Sequence, residues 1–67
     1  MNVFINNKPY PFNPSEFLSD VLKSNNFIQL KGIAVAVNNV VIQKSNWGNY
    51  QLNENDKITI ITATQGG

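Results

Sequence analysis

The chain contains neither cysteine nor histidine. Their absence excludes disulfides, thiol nucleophiles, the usual zinc sites and acid–base catalysis by imidazole. The fold must therefore be held together by its hydrophobic core. The 67 residues form one small domain, too short to combine a substrate cleft with the core that would support it. We therefore expect a protein that is not an enzyme.

Charge is also scarce and is not clustered. Five lysines and four acidic residues give a formal net charge of +1, and the lysines are scattered along the chain. Nucleic acids and anionic membranes attract concentrated positive charge, so neither is an expected partner. No apolar run approaches the roughly 20 residues of a membrane span, and the start of the chain does not resemble a signal peptide. We expect a cytoplasmic location.

The first twelve residues predict a β-hairpin. Val3 and Ile5 alternate with Phe4, and Asn6-Asn7 suits a tight turn. The second strand, "KPYPF", contains two prolines, which cannot donate to a hydrogen-bond ladder. We therefore expect that strand at an edge of the sheet.

The next stretch, "FNPSEFLSDVLKSNN", predicts one amphipathic helix. Asn13 is expected to cap the helix, with Pro14 in the first helical position and Glu16 completing a capping box. Phe12 and Phe17 would then form a hydrophobic staple across this start. The apolar stripe expected to face the sheet consists of Phe17, Leu18, Val21 and Leu22.

Three further strands are predicted in the second half of the chain. The segments "IAVAVN" and "VVIQK" flank Asn38-Asn39, which suits a second tight turn. The last segment, "KITIIT", is apolar enough on both faces to lie centrally in the sheet. We expect its Ile58 and Ile60 to face the helix and Thr59 to face away.

The loop before the last strand carries two aromatic residues and two acids. Trp47 and Tyr50 could stack on bases, but without a basic groove they are expected to cover the edge of the core together with Leu52. Glu54 and Asp56 are too few for a calcium loop, and we interpret them as solvated turn residues.

The element order is strand, strand, helix, strand, strand, strand. With one helix across a mixed sheet of about five strands, and with the first and last strands central, this is the α+β architecture called the ubiquitin-like β-grasp. We expect a single domain over residues 1–67, with a flexible C-terminal tail at residues 63–67.

Three segments carry a resemblance to a known family. "IAVAVNNVVIQKSNW", "LNENDKITIIT" and a final "GG" make the chain similar to the ThiS family of sulfur carriers in thiamin biosynthesis, over essentially its whole length. Two positions depart from the usual pattern. Gln43-Lys44 replaces a frequent Pro-Arg, and Asn55-Asp56 replaces a frequent Gly-Asp. Asn tolerates a left-handed turn nearly as well as Gly, so the second change can be accommodated locally.

The resemblance implies a function for the Gly-Gly end. In such carriers the α-carboxylate of the last glycine, here Gly67, is adenylated with ATP by a ThiF-like partner enzyme and converted to a thiocarboxylate. A cysteine desulfurase system supplies the sulfur, and a ThiG-like thiazole synthase receives it. The carrier itself binds no cofactor. Gly66 and Gly67 have no Cβ and therefore fit a narrow channel.

Partner contacts are expected beside this end. Ala63, Thr64 and Gln65 lead into the glycines, and the alternation of the central strands directs Phe4 and Ile61 away from the helix. An exposed apolar cluster of this kind would suit a partner. Its expected small neighbours are Ala34, Ala36 and Ala63.

Other functions fit the same pattern. The chain could be a molybdopterin-type sulfur carrier or a ubiquitin-like modifier, both of which also end in Gly-Gly, although molybdopterin carriers tend to be longer. It could also be a non-covalent β-grasp adaptor whose terminal glycines are a frayed end. Removal of Gly67 separates the adaptor from the carriers, because only a carrier depends on that residue.

Overall fold

The predicted order of strands and helix is confirmed. A computed structural model of the chain describes residues 1–27 and 32–62. Its elements are β1 (Asn2–Ile5), β2 (Lys8–Pro11), α1 (Leu18–Ser24), β3 (Ile33–Val37), β4 (Val40–Ile42), a 3₁₀-helix (Lys44–Asn49) and β5 (Lys57–Thr62). The strands form one sheet in the order β2-β1-β5-β3-β4. β1 and β5 are parallel and the other neighbours antiparallel, which is the mixed β-grasp sheet that the sequence predicts.

Both hairpins turn through an Asn-Asn pair with left-handed backbone. The φ angles are 49° and 71° at Asn6 and Asn7, and 51° and 70° at Asn38 and Asn39. Two-residue turns with positive φ at both positions match the twist of the flanking strands, and Asn is among the few residues that accept them. The two turns predicted from the sequence are therefore confirmed.

The positions of the strands also follow the sequence. β2, which contains Pro9 and Pro11, is an edge strand that pairs only with β1 among the described strands. β5 lies between β1 and β3, as predicted for an apolar central strand. Ile58 and Ile60 are buried while Thr59 is exposed, so the predicted inner and outer faces of β5 are confirmed.

The predicted start of the helix is wrong. Asn13 and Glu16 do bond to each other, because Asn13 N donates to Glu16 Oε1 at 2.8 Å and Glu16 N donates to the Asn13 carbonyl at 2.9 Å. These bonds close an isolated turn, and the chain is extended at Phe17 before α1 begins at Leu18. Phe17 forms a β-bridge with Gln51, which helical backbone would not allow.

The helix is capped one turn later than predicted. Phe17 N donates to Asp20 Oδ2 at 2.8 Å, so Asp20 supplies the capping-box carboxylate that we assigned to Glu16. The staple between Phe12 and Phe17 presupposes a helix from Asn13 and is not retained. Tertiary pairing at Phe17 therefore overrides a local signal that would otherwise favour an earlier start.

One core lies between α1 and the inner face of the sheet. Three members of the predicted apolar stripe, Leu18, Val21 and Leu22, are fully buried on α1. The fourth, Phe17, precedes the helix and is only half-buried. The buried cluster contains Val3, Ile5, Phe12, Leu18, Val21, Leu22, Val35, Val37, Trp47, Leu52, Ile58 and Ile60.

The loop before β5 closes one side of this core. Trp47 and Leu52 are buried and Tyr50 packs against the core, as predicted. Trp47 Nε1 donates to the Ile42 carbonyl at 2.9 Å, which satisfies its one polar atom. Asn55 has a φ of 68°, so it accommodates the left-handed turn expected there.

Asp56 is not the solvated turn residue that the sequence suggests. Its side chain is only 7% exposed. Asn53 N donates to Asp56 Oδ2 at 2.8 Å, and Asn38 Nδ2 donates to Asp56 Oδ1 at 3.0 Å. Because both carboxylate oxygens are bonded, the burial of this acid is compensated. Glu54, by contrast, is exposed as predicted.

Candidate functional site

The predicted reacting segment follows directly after β5. Gly66 and Gly67, together with the predicted contact residues Ala63, Thr64 and Gln65, lie outside the described residues. β5 itself is described to its last residue, Thr62, which pairs with Ile33 of β3. The strand that leads into the Gly-Gly segment is therefore a central strand of the sheet.

Phe4 and Ile61 share the outer face of the sheet, on adjacent strands, as predicted. The register nevertheless separates them along the strands. Phe4 pairs with Lys57, which is four residues before Ile61 on β5. At about 3.3 Å per residue this is a separation of roughly 13 Å. The two side chains are therefore not direct neighbours, and Thr59 lies between them on the same face.

The neighbours of Ile61 are on β3 and β4. Ala34 pairs with Ile61, and Ala36 pairs both with Thr59 of β5 and with Val41 of β4. Because paired residues point to the same side of a sheet, these side chains share the outer face. We call Ala34, Ala36, Val41 and Ile61 the outer-face cluster.

The outer-face cluster exposes two large aliphatic side chains. Ile61 is 54% exposed and Val41 is 66% exposed, and the exposed Ala34 and the buried Ala36 of β3 lie between their strands. Apolar surface that is contiguous and exposed commonly marks an interaction site.

Val41 is the member of the outer-face cluster that we did not predict. The sequence does carry a signal for it. Once Asn38-Asn39 is taken as a two-residue turn, Val37 must pair with Val40 and Ala36 with Val41, as the structure shows. Val41 then lies on the same face as Ala36.

Phe4 lies in different surroundings. It is half-buried and lines a shallow concavity between the two hairpin turns. The other lining residues are Asn6, Asn7, Asn39, Lys57, Ile58 and Thr59. Most of these side chains are polar, so Phe4 is not part of a continuous apolar surface with Ile61.

Both ends of β5 are held by side chains from the hairpin turns. Asn38 Oδ1 accepts a hydrogen bond from Lys57 N at 3.0 Å, at the start of the strand. Asn6 Oδ1 accepts one from Ile60 N at 2.9 Å, close to its end. The turn residues thus fix the strand that precedes the predicted reacting segment.

The described residues offer neither a metal-binding cluster nor a membrane-spanning helix. Residues 1–27 and 32–62 contain no group of three or more His, Cys, Asp or Glu side chains that could hold a metal ion. Neither of those two stretches includes a helix long and apolar enough to cross a membrane. What these residues offer is exposed apolar side chains on the strand that leads into the Gly-Gly segment and on its neighbours.

Comparisons with known proteins agree with this architecture. A crystal structure of the thiamine biosynthesis protein (ThiS) from Geobacter metallireducens has a TM-score of 0.80 and 20% sequence identity, and the similarity covers 100% of both chains. An NMR solution structure of a thiamine biosynthesis protein from Geobacter metallireducens has a TM-score of 0.71 and 20% identity, over 100% of this chain and 88% of the other. At this identity the two structures establish the fold.

The family is established by the sequence itself. A comparison with functionally curated proteins finds no significant match. The sequence model of the ThiS family, however, matches residues 3–67, which is nearly the whole chain. This match supports a sulfur-carrier role, and the chain belongs to the ThiS family.

Proposed function

We propose that this protein carries sulfur for thiamin (thiazole) biosynthesis on the carboxyl group of Gly67. In the first step a carboxylate oxygen attacks the α-phosphorus of ATP on a ThiF-like partner enzyme, and pyrophosphate leaves. In the second step a persulfide from a cysteine desulfurase system attacks the acyl carbon, and AMP leaves, which gives an acyl disulfide. A thiol then attacks the persulfide-derived S–S bond, so that a new disulfide forms and the thiocarboxylate is released. The resulting thiocarboxylate then donates its sulfur to a ThiG-like thiazole synthase.

The chemistry explains why an enzyme must be the partner. A carboxylate is a poor electrophile until one of its oxygens becomes part of a good leaving group, which here is AMP. ATP is thus a substrate of the partner enzyme and is not a cofactor of the carrier. Gly66 and Gly67 lack a Cβ and suit a narrow channel. Five residues after Thr62 can span at most roughly 16 Å, which is enough to enter the active site of another protein.

One observation carries the proposal. The family match extends from residue 3 to residue 67 and therefore includes the Gly-Gly segment as well as the β-grasp body. Two structural observations support it. β5 leads directly into the segment, and the outer-face cluster lies on this strand and its neighbours. The cytoplasmic location predicted from the sequence is compatible with this function and stays a prediction.

We further propose that the outer-face cluster is where the partner enzymes bind. Ile61 is one residue from the end of β5, so a partner that contacts it is placed beside the segment that must enter its active site. Ala63, Thr64 and Gln65 would be contacted along the entry channel. Phe4, which lies apart in the polar concavity, would belong to this interface only if the partner covers the outer face as far as Lys57.

Intact mass spectrometry tests the proposed chemistry. The full chain is incubated with ATP, the adenylating enzyme, a cysteine desulfurase with its cysteine substrate, and a thiol reductant. We expect a mass gain equal to the replacement of one oxygen by sulfur, located in the C-terminal peptide. A variant lacking Gly67 and one with a single residue added after it should show no gain. Their circular dichroism spectra should match that of the parent, because the end of a chain contributes little to stability.

One result would contradict the carrier role, and another would contradict the requirement for Gly67. The first is a parent chain that never gains sulfur although a known carrier does so under the same conditions. The second is an extended variant that is still adenylated at its new end, which would show that Gly67 is not required. A protein that binds its partner equally well with and without Gly67, and that gains no sulfur, would be the non-covalent adaptor.

A further inference from the structure

β1 is paired with only the first part of β5, which continues beyond the end of β1. The backbone ladder between these strands includes Phe4 and Ile5, and Asn6 N donates to the Ile58 carbonyl at 2.9 Å. The turn at Asn6-Asn7 then takes the backbone away towards β2. On the other side of β5 the ladder with β3 continues as far as Thr62. The final residues of β5 therefore have a neighbouring described strand on one side only.

The side chain of Asn6 extends the missing ladder by one position. Asn6 Oδ1 accepts a hydrogen bond from Ile60 N at 2.9 Å, and Asn6 Nδ2 donates to the Ile60 carbonyl at 3.5 Å. A side-chain amide offers the same donor and acceptor as a peptide group. In a regular parallel ladder the backbone carbonyl of residue 6 would bond to Ile60 N, and the side-chain oxygen replaces it.

Asparagine suits this position for two reasons, the positive φ of its backbone and the donor and acceptor of its side chain. The φ angle of 49° at residue 6 favours Gly, Asn or Asp. Gly carries no side-chain amide. Asp offers oxygen acceptors but no donor, and its charge would face the Ile60 carbonyl. Asn38, with a φ of 51°, uses its side-chain oxygen in the same way on Lys57 N at the other end of β5.

We propose that Asn6 is a positioning residue for sulfur transfer. This inference rests on the carrier function proposed above. By fixing Ile60, two residues before the end of β5, Asn6 sets the direction in which the chain leaves the sheet towards Gly67. Adenylation requires the Gly67 carboxylate to reach the α-phosphorus of ATP in one geometry. When the carrier is docked on its partner enzyme, the Gly67 carboxylate is in the reactive position more often if β5 is held by hydrogen bonds on both sides.

The substitution Asn6→Gly, with Asn7→Gly as a matched control, tests this role. Both residues have positive φ in the same turn, so glycine keeps the backbone of either position allowed. Asn6 loses its bonds to Ile60, whereas the side chain of Asn7 has no hydrogen-bond partner among the described residues. Any difference between the two variants therefore reports the side-chain amide of Asn6.

The first measurement is amide hydrogen exchange by NMR on the isolated carrier. In Asn6→Gly the Ile60 amide should exchange about fivefold faster than in the parent, the factor that corresponds to one ordinary hydrogen bond. The Asn7→Gly variant should match the parent. The internal reference is the amide of Val21, a buried residue of α1 whose N donates to the Phe17 carbonyl, away from the turn that holds Asn6.

The second measurement is single-turnover adenylation with the ThiF-like enzyme. In Asn6→Gly we expect about fivefold slower turnover at saturating carrier, with unchanged affinity for the enzyme, because the docking surface is intact while the carboxylate is presented less often. A substitution that merely destabilised the fold would instead lower the amount of competent carrier, which a parallel thermal melt detects.

The outcomes separate this inference from the function on which it rests. An unchanged exchange rate of the Ile60 amide in Asn6→Gly would show that the Asn6 side chain does not hold Ile60. Faster exchange with parental turnover would overturn the positioning role and leave the carrier function standing. Failure of the parent chain to be adenylated would overturn the carrier function, and the positioning role with it.

Discussion

Asn38 and Asp56 are joined by a hydrogen bond of 3.0 Å from Nδ2 to Oδ1 across the start of β5. Asn38 also accepts from Lys57 N through its Oδ1, at 3.0 Å. One amide side chain thus ties the β3–β4 turn both to a buried carboxylate and to the backbone of the central strand. The buried acid is satisfied because the turn places a donor beside it.

This relationship predicts a large difference between the two asparagines of the turn. Asn38→Gly keeps the left-handed backbone but leaves Asp56 Oδ1 and Lys57 N without this partner, and should cost about 1 to 3 kcal/mol of unfolding free energy. Asn39→Gly, at a φ of 70°, should change it by less than about 0.5 kcal/mol. Urea denaturation followed by Trp47 fluorescence measures both. Equal losses would show that the turn backbone matters and the amide does not.

The faces of β5 give a second prediction. Ile58→Ala removes a fully buried side chain from the core and should cost about 2 to 5 kcal/mol, which is much of the stability of a domain this small. Thr59→Ala changes an exposed position on the next residue of the strand and should cost far less. The comparison of the two urea midpoints checks the assignment. A Thr59 variant that unfolds as readily as the Ile58 variant would contradict it.

The start of α1 gives a third prediction. Asp20 and Glu16 each accept one exposed backbone bond of 2.8 Å, but only the bond from Asp20 caps the helix. Asp20→Ala should therefore cost about 0.5 to 2 kcal/mol and speed amide exchange in the first turn of α1. Glu16→Ala should leave that exchange unchanged, because it opens a turn that precedes the helix. Faster exchange in α1 for Glu16→Ala would restore the earlier start that the sequence suggests.

Local signals account for the parts of the fold that were predicted correctly. The Asn-Asn pairs accept the positive φ angles of the two tight turns, and the prolines confine β2 to an edge of the sheet. The alternation of residues in β5 predicted which side chains are buried. Each of these features is decided within a few residues. The start of the helix is not decided locally, because it depends on the β-bridge between Phe17 and Gln51, which are 34 positions apart in the sequence.

The residues that the sequence missed are those whose role depends on pairing. Asp56 looked like a solvated turn residue until Asn38 was placed beside it, and Asn6 looked only like a turn residue until Ile60 was found within reach of its amide. The separation of Phe4 from Ile61 likewise required the register of β1 on β5. Alternation predicts which face a side chain occupies, but only register shows which side chains meet.

The outer-face cluster gives the last prediction. Val41 and Ile61 are both more than half exposed, and each pairs with an alanine of β3, the strand that lies between them. If the partner enzymes dock here, their binding buries both side chains, and a carboxylate at either position would be desolvated without a partner. The double variant Val41→Asp, Ile61→Asp should bind the adenylating enzyme and the thiazole synthase roughly thirtyfold more weakly or worse.

Val40 provides the matched control for this test. It is 62% exposed, next to Val41 in sequence, but it pairs with the inward-facing Val37 and so lies on the other side of the edge strand. Val40→Asp should therefore bind both enzymes like the parent, and Lys23→Asp on the exposed face of α1 should do the same. Isothermal titration calorimetry measures the affinities, and thermal melts verify that all variants stay folded. Parental affinity in the double variant would exclude the cluster as the docking surface and leave residues 63–67 as the recognised element.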